Sequence, residues 1–256
     1  MLKVSFVKAF LDNYIWILSN DEKAIVIDPG DARKVCDFLT DNNLSLEAIL
    51  ITHHHFDHIN GVPELLDKFH DAKLIAPMSI NSDLRGFFVT EGSQIILLDS
   101  IFEVIELPGH TDDHIGFRYK NMLFCGDVLF SSGCGKVSNG QYEKMLSSLS
   151  KISSLPNNTI IYCGHEYTRD NLIFANYIEP GNEFIQEYIM LIDQNEDMPT
   201  IPTSLLLEKK INPFLRLLDK ENLQFFKYDG YDDNLIGFFK KIRKLKDDFN
   251  NNSVCY

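Results

Sequence analysis

Four histidines and one aspartate crowd the stretch His53-His54-His55-Phe56-Asp57-His58. The apolar run Glu47-Ala48-Ile49-Leu50-Ile51 before it reads as a buried strand. Pro63-Glu64-Leu65-Leu66-Asp67-Lys68-Phe69 after it reads as a helix with proline near its first turn. The cluster is therefore expected at the carboxyl end of a strand, where an open α/β sheet places its ligand site. A short apolar strand cannot absorb so many imidazoles, and a divalent metal is the first candidate to bind them. In extended or turn-like backbone His53 and His55 project to one side, which suits two imidazoles on one ion. Asp57 and His58 lie beyond them and can turn toward a second ion, whereas His54 is expected to stay out of the chemistry. A purification tag would sit at a terminus, and this run does not.

Two ions need more ligands than these, and three downstream strand ends offer them. They are Leu107-Pro108-Gly109-His110-Thr111, Phe124-Cys125-Gly126-Asp127 and Ile161-Tyr162-Cys163-Gly164-His165-Glu166. A lone Gly-His or Gly-Asp is more often a turn with a satisfied polar side chain. Repeated after three strands, the pattern points to His110, Asp127 and His165 as the missing ligands, with Asp127 bridging.

The rest of the chain supplies a frame for such a site. Residues 2–8, 14–19 and 23–28 open a β-meander, and Ala32 to Leu39 has helical spacing. Residues 73–76, 95–98, 102–107, 114–119, 122–125 and 159–163 are further strand candidates, and 142–152 a helix. Beyond Gly164 the spacing turns helical at 172–178 and 184–192, with no strand expected and Asn250-Asn251-Asn252 as a frayed tail. These elements predict an α/β protein: an α-β-β-α sandwich over residues 1–165, then a smaller helical domain over 166–256. A length of 256 residues is enough to bury a full core.

The net charge of -13 disfavours nucleic acid as a partner. No apolar run reaches transmembrane length and the first residues lack a signal peptide's apolar core, so a cytoplasmic protein with no membrane partner is expected. The five cysteines include no Cys-x-x-Cys pair and are expected as reduced, mostly core thiols.

The His-x-His-x-Asp-His motif, followed by Pro-Gly-His-Thr, Gly-Asp and Gly-His, resembles the metallo-β-lactamase superfamily. Gly133-Cys134-Gly135-Lys136, Gly164-His165-Glu166-Tyr167-Thr168, Asn171-Leu172-Ile173-Phe174-Ala175 and Asn212-Pro213-Phe214-Leu215-Arg216 narrow the resemblance to its glyoxalase II (hydroxyacylglutathione hydrolase) family. The likeness runs from about residue 3 to about residue 249. It implies His53, His55 and His110 on one ion, and Asp57, His58 and His165 on another. Asp127 bridges them, and Asp28 orients the site without binding metal. His114 matches a position that is not a ligand, and His70 is expected on a helix surface.

The same resemblance implies a substrate and a reaction. Arg243 and Lys246 share a helix face at i and i+3, and they match the pair that binds the glycine carboxylate of glutathione. Lys136 and Tyr167 match contacts to the tripeptide, while Lys240, Lys241 and Lys244 read as a solvated face. The implied reaction is hydrolysis of S-D-lactoylglutathione and related 2-hydroxyacylglutathiones to D-lactate and glutathione, the second step of methylglyoxal detoxification. Two zinc ions, with iron or manganese as substitutes, would hold a bridging water as the hydroxide nucleophile, with Asp57 and Asp127 as the catalytic residues among their ligands. The expected partner is this small thioester alone, on a monomer.

An oxygenase acting on glutathione persulfide at a single iron is the alternative on the same fold. A β-lactam hydrolase is disfavoured by the Asp57-His58-His165 set. Two departures from the family stand out: Ser138 replaces a common tyrosine and Asp113 replaces a usual glycine. Both bear on substrate affinity more than on the reaction.

Overall fold

The computed structural model describes residues 2–80, 86–138, 140–195, 198–222 and 234–253. The chain forms two compact units. One comprises Met1–Leu107, Asp113–Gly126 and Tyr162–Glu166; the other comprises Pro108–Asp112, Asp127–Ile161 and Tyr167–Tyr256.

The first unit opens with β1 (Lys3–Ala9), β2 (Asn13–Ser19) and β3 (Lys23–Ile27), an antiparallel meander. Asn20 shapes the second turn, its side-chain oxygen accepting from the amides of Glu22 and Lys23. After α1 (Ala32–Asp41) the sheet continues in parallel: β4 (Ser45–Leu50) follows β3. Then come α2 (Phe56–Ile59), α3 (Val62–Lys68), β5 (Lys73–Ala76) and β6 (Phe87–Phe88), which complete the strand order β1-β2-β3-β4-β5-β6. The second sheet of this unit is an antiparallel meander of β7 (Gln94–Leu97), β8 (Ser100–Glu106), β9 (Ile115–Tyr119) and β10 (Met122–Gly126).

Every residue of β2 is buried, so both faces of its sheet are covered. Alternation assigns the faces. Ile15 and Ile17 join Val26 and Ile49 in a cluster with Val35 and Leu39 of α1 and Val62 and Leu65 of α3. Trp16 points the other way, toward the second sheet, where its ring meets Tyr162 edge-on at 4.9 Å and its Nε1 donates to the Cys163 carbonyl at 2.9 Å. Tyr162 in turn stacks on Phe124 of β10 at 4.6 Å. Helix α1 forms because Asp31 caps it through the Lys34 amide and Ala32, Val35, Cys36 and Leu39 bury one stripe. Removing the Leu39 side chain would cost about 2–5 kcal/mol.

The second unit holds β11 (Leu129–Phe130) and β12 (Gly133–Cys134), a two-stranded hairpin, then α4 (Tyr142–Ser153). Strand β13 (Ile160–Cys163) begins there and ends in the first unit. Helices α5 (Thr168–Ile178) and α6 (Glu183–Asp193) follow, then β14 (Thr203–Ser204), α7 (Leu205–Ile211), α8 (Pro213–Arg216) and α9 (Leu235–Ser253). At the hairpin's foot, Glu208 is fully buried and accepts from Ser131 Oγ, the Ser132 amide, Thr203 Oγ1 and Asn212 Nδ2 at 2.8–3.1 Å.

Three expectations give way. A strand does follow residue 164: β14 pairs antiparallel with the start of β13, too short to leave a period in the sequence. Asn250-Asn251-Asn252 belongs to α9 rather than to a frayed tail. His70 lies in a turn just past α3, exposed but not helical. Cys36, Cys125, Cys134 and Cys163 are buried free thiols, while Cys255 falls outside the described residues.

Candidate metal centre

Strand β4 ends at Leu50, and the chain then turns through Thr52, His53 and His55 into α2. That places Asp57 and His58 in the first turn of a short helix, back beside the strand end. Gly30 permits this return, since a Cβ there would overlap the Asp57 carbonyl oxygen. Asp28, at φ 53°, turns its carboxylate the same way. It accepts from the Thr52 amide and from Thr52 Oγ1, both at 2.7 Å, and from His58 Nδ1 at 3.0 Å.

In the neutral ring, these bonds set which imidazole nitrogen carries the proton. A carboxylate only accepts, so His58 bears its proton on Nδ1 and turns a bare Nε2 inward. His165 Nδ1 lies 2.7 Å from Asp12 Oδ1, which gives His165 the same tautomer. Thr52 Oγ1 spends its proton on Asp28 and so accepts from His53 Nδ1 at 3.0 Å, leaving His53 Nε2 bare 3.1 Å from His55 Nδ1.

The inward face is then short of positive charge. His58 Nε2 and His165 Nε2 are 3.3 Å apart, and Asp57 Oδ2 lies 3.4 Å from one and 3.3 Å from the other. Three lone pairs converge on one point. Burial alone would raise the Asp57 carboxyl; protons on the Nε2 atoms of His165 and His58, the charge they give His58 and the amide of Asn13 would hold it well below the usual carboxylate range, and a cation would take the place of those protons. A divalent cation accepts all three lone pairs at once, and the His/Asp donor set suits zinc, iron or manganese.

The second unit repeats the pattern on a smaller scale. His110 Nδ1 donates to the Lys136 carbonyl at 2.9 Å, which turns its Nε2 toward Asp127 Oδ2, 3.6 Å away. Ser148 Oγ holds the preceding loop through the Pro108 carbonyl at 2.7 Å.

The other histidines are set apart by their surroundings. His54 is exposed and meets Ser79 Oγ at 3.3 Å. His114 is fully buried and stacks on His53 with ring centres 4.7 Å apart. Asp113, the departure from the family's glycine, binds the Ser79 amide and hydroxyl at 2.6 and 2.9 Å and ties its loop to that turn.

Lys136, Tyr167, Arg243 and Lys246 all line one cavity of about 700 Å³ in the second unit, with Phe130 and Asp247 beside them. Arg243 is buried: Nη1 donates to the Cys134 carbonyl at 2.8 Å, and Nη2 to Asp247 Oδ1 at 3.0 Å. Its guanidinium sits 5.4 Å from the Phe214 ring centre. Lys246 donates to the Asp170 carbonyl at 3.1 Å and lies 5.2 Å from the Phe174 ring centre. Burial first, and then the charge of Arg243, lower its ammonium to about 8. Tyr167 meets Phe130 edge-on at 5.1 Å. Of the lysines expected on a solvated face, Lys240 pairs there with the exposed Glu143 at 2.8 Å and links α9 to α4.

Comparison with known proteins agrees with this geometry. Residues 10–165 match the metallo-β-lactamase superfamily and residues 166–249 match the hydroxyacylglutathione hydrolase C-terminus. Hydroxyacylglutathione hydrolase 1 of Vibrio vulnificus is 49% identical, the match covering 97% of this chain and 98% of that protein. The hydroxyacylglutathione hydrolase of Vibrio campbellii is 43% identical over 97% of this chain and 100% of that one.

The chain belongs to the hydroxyacylglutathione hydrolase family.

Its architecture is accordingly the metallo-β-lactamase fold, α/β in class, with the family's helical C-terminal domain. Among solved structures, the BLEG-1 B3 metallo-β-lactamase is similar at a TM-score of 0.61 and 25% identity, covering 84% of this chain and 99% of its own. ETHE1 from Myxococcus xanthus shares the fold at a TM-score of 0.64 and 22% identity, covering 96% and 99%. The fold and the His/Asp clusters together mark a divalent-metal site. Among the described residues, no helix is long and apolar enough to cross a membrane.

Three residues of this hydrolase's metal region escaped the sequence reading. Asp12 backs His165, Asn13 Nδ2 donates to Asp57 Oδ2 at 2.8 Å, and Thr52 links Asp28 to His53. Asp12 ends the short turn after β1 and Asn13 opens β2, where Asp and Asn are ordinary residues of a strand connection, so composition hides them. Thr52 directly precedes the histidine run, and that adjacency is the one signal that could have found it.

Proposed function

We propose that this hydrolase cleaves the thioester of S-D-lactoylglutathione and related 2-hydroxyacylglutathiones, releasing the 2-hydroxy acid and glutathione. The observation that carries the substrate is the cavity that gathers Lys136, Tyr167, Arg243 and Lys246 from three distant stretches of the sequence. It presents two buried cations to a carboxylate, and an aromatic ring and a lysine to a peptide. In this reading residues 1–165 carry the metal chemistry and 166–256 the glutathione-binding helices.

The ligand assignment follows the family pattern residue by residue. His53, His55 and His110 would hold one zinc ion, Asp57, His58 and His165 a second, and Asp127 both. When bound, such a pair acidifies water and polarises a carbonyl oxygen. The protein's own groups do the rest. Asp28, Thr52, Asp12 and the Lys136 carbonyl fix His58, His53, His165 and His110 in one tautomer, so that the Nε2 of each of these four offers a lone pair without reorganisation. Asp57, held ionised, and Asp127 supply negative charge against that of the ions. Arg243 and Lys246 hold the glycine carboxylate, which sets the position of the thioester. The leaving thiolate is stable enough near neutral pH to need no general acid.

The test is hydrolysis of S-D-lactoylglutathione beside a small thioester that lacks the tripeptide. A kcat/KM far higher for the glutathione thioester is expected. Equal values on both, or oxygen uptake with glutathione persulfide by protein holding a single iron, would contradict the reading.

A further inference from the structure

The junction of the β1–β2 turn with β2 reaches two of the proposed ligands with two adjacent residues of opposite chemistry. Asp12 offers a carboxylate to His165 Nδ1 at 2.7 Å, and Asn13 offers an amide N–H to Asp57 Oδ2 at 2.8 Å. We propose that this turn is a positioning clamp for the Asp57–His58–His165 group alone. Loss of Asp12 or Asn13 then weakens the ion held there and spares the one held by His53 and His55. The inference rests on the two-ion reading above and adds a residue pair that the reading does not use.

The turn is built to hold this position. The Glu166 amide donates to the Asp12 carbonyl at 2.9 Å, and the Tyr14 amide donates to the Gly164 carbonyl at 2.8 Å. Tyr14 Oη closes the loop on Glu166 Oε2 at 2.9 Å, and Asn13 makes an isolated antiparallel bridge with His165. The backbone of 164–166 and that of 12–14 are thus knitted together, with His165 in the middle.

Chemistry assigns each side chain a separate task. The Asp12 carboxylate keeps the His165 proton on Nδ1 and makes Nε2 a stronger donor to a cation. The Asn13 amide fixes Asp57 Oδ2, the same oxygen that lies between the two Nε2 atoms. It does so with a neutral donor, so Asp57 keeps its full charge for the ion. Asp28 works differently, since it touches His58 directly and His53 through Thr52, and so braces both groups of ligands. The residue at the tip, Leu11, is fully exposed and offers an internal control within the same turn.

Wild-type protein, Asp12→Ala, Asn13→Ala and Leu11→Ala, all metal-loaded, are dialysed against a graded chelator, and bound metal is measured by elemental analysis. Asp12→Ala and Asn13→Ala should release one equivalent at a chelator concentration about 10–100-fold lower than wild type and the other equivalent unchanged. Leu11→Ala should match wild type, and Asp12→Asn, which retains an acceptor oxygen, should recover part of the loss. Cobalt-loaded samples give a second readout, a visible absorption band altered for one of the two equivalents.

Both equivalents shifting together, neither shifting, or Leu11→Ala shifting as far would overturn the clamp. A wild type that holds only one equivalent fails the two-ion reading instead; the clamp is then judged by whether Asp12→Ala moves that equivalent, and no movement overturns it. Melting of the metal-free proteins shows whether a variant has simply lost its fold, in which case Asp12→Asn decides.

Discussion

The metal-ligand cluster of the first unit and the cationic cavity of the second are built on opposite principles. The cluster uses short side chains, each pinned from behind: His53 by Thr52, His58 by Asp28, His165 by Asp12 and Asp57 by Asn13. The cavity uses long ones, Arg243 and Lys246, which lie against the aromatic rings of Phe214 and Phe174 and donate to the carbonyl oxygens of Cys134 and Asp170. Short pinned ligands suit chemistry that needs fixed lone pairs. Long cations with a replaceable partner suit binding, and under the proposed function the protein's own carbonyls would exchange for a substrate's carboxylate.

Breaking the cluster should therefore cost turnover, and breaking the cavity should cost affinity. Asp127→Ala has the largest expected effect. With several kcal/mol of charge stabilisation lost, kcat should fall roughly 10³-fold, and bound metal should fall with it in the same preparation. A variant that keeps its metal and its rate would place Asp127 outside the centre. Arg243→Ala comes next. Loss of charge-assisted bonds worth about 1.5–3 kcal/mol should raise KM for glutathione thioesters roughly 10–100-fold and leave small thioesters nearly unaffected. An equal rise on both would remove the carboxylate from its assigned place.

A third effect follows from the depressed Lys246 ammonium, at about 8. Below that pH the free enzyme carries the charge, and above it the charge is lost, so kcat/KM for the glutathione thioester should fall as pH rises through about 8. Lys246→Arg should flatten this limb, because guanidinium does not titrate there. The stability sign is the reverse. The folded protein binds fewer protons than the unfolded chain between about 8 and the ordinary lysine value of 10.5, so the penalty of burying Lys246 is full below pH 8 and relieved as pH rises across that window. Smallest is Asp113→Gly, which restores the family's usual residue. It removes the two bonds to Ser79 and should lower stability by about 1 kcal/mol, read as a modest shift in melting temperature.

The same contrast explains what could be read from the residues beforehand. The cluster was legible because its ligands are chemically distinctive and because strand ends put glycine beside histidine or aspartate three times over. Strands β1 to β5 were legible because apolar residues mark β2 to β4 clearly and turn residues separate them. What supports the ligands was not legible, since Asp12 and Asn13 acquire meaning only when the chain returns at residues 164–166. The cavity needed the family resemblance for its residues to be named, because its walls come from a hairpin near residue 134, from α5 and from α9. Strand β14 and hairpin β11–β12 are two residues long per strand, below the length at which alternation can register. Glu208 is a further case: nothing in Lys209-Lys210 beside it announces a carboxylate buried among four donors.

The most direct test joins the two regions in one sample. Protein is stripped of metal, reloaded with zinc in steps, and assayed on S-D-lactoylglutathione at each step while bound zinc is counted. Hydrolysis absent from the stripped protein and restored as binding saturates at two equivalents is the expected result. Full hydrolysis by the stripped protein, or saturation at a single equivalent, would contradict it.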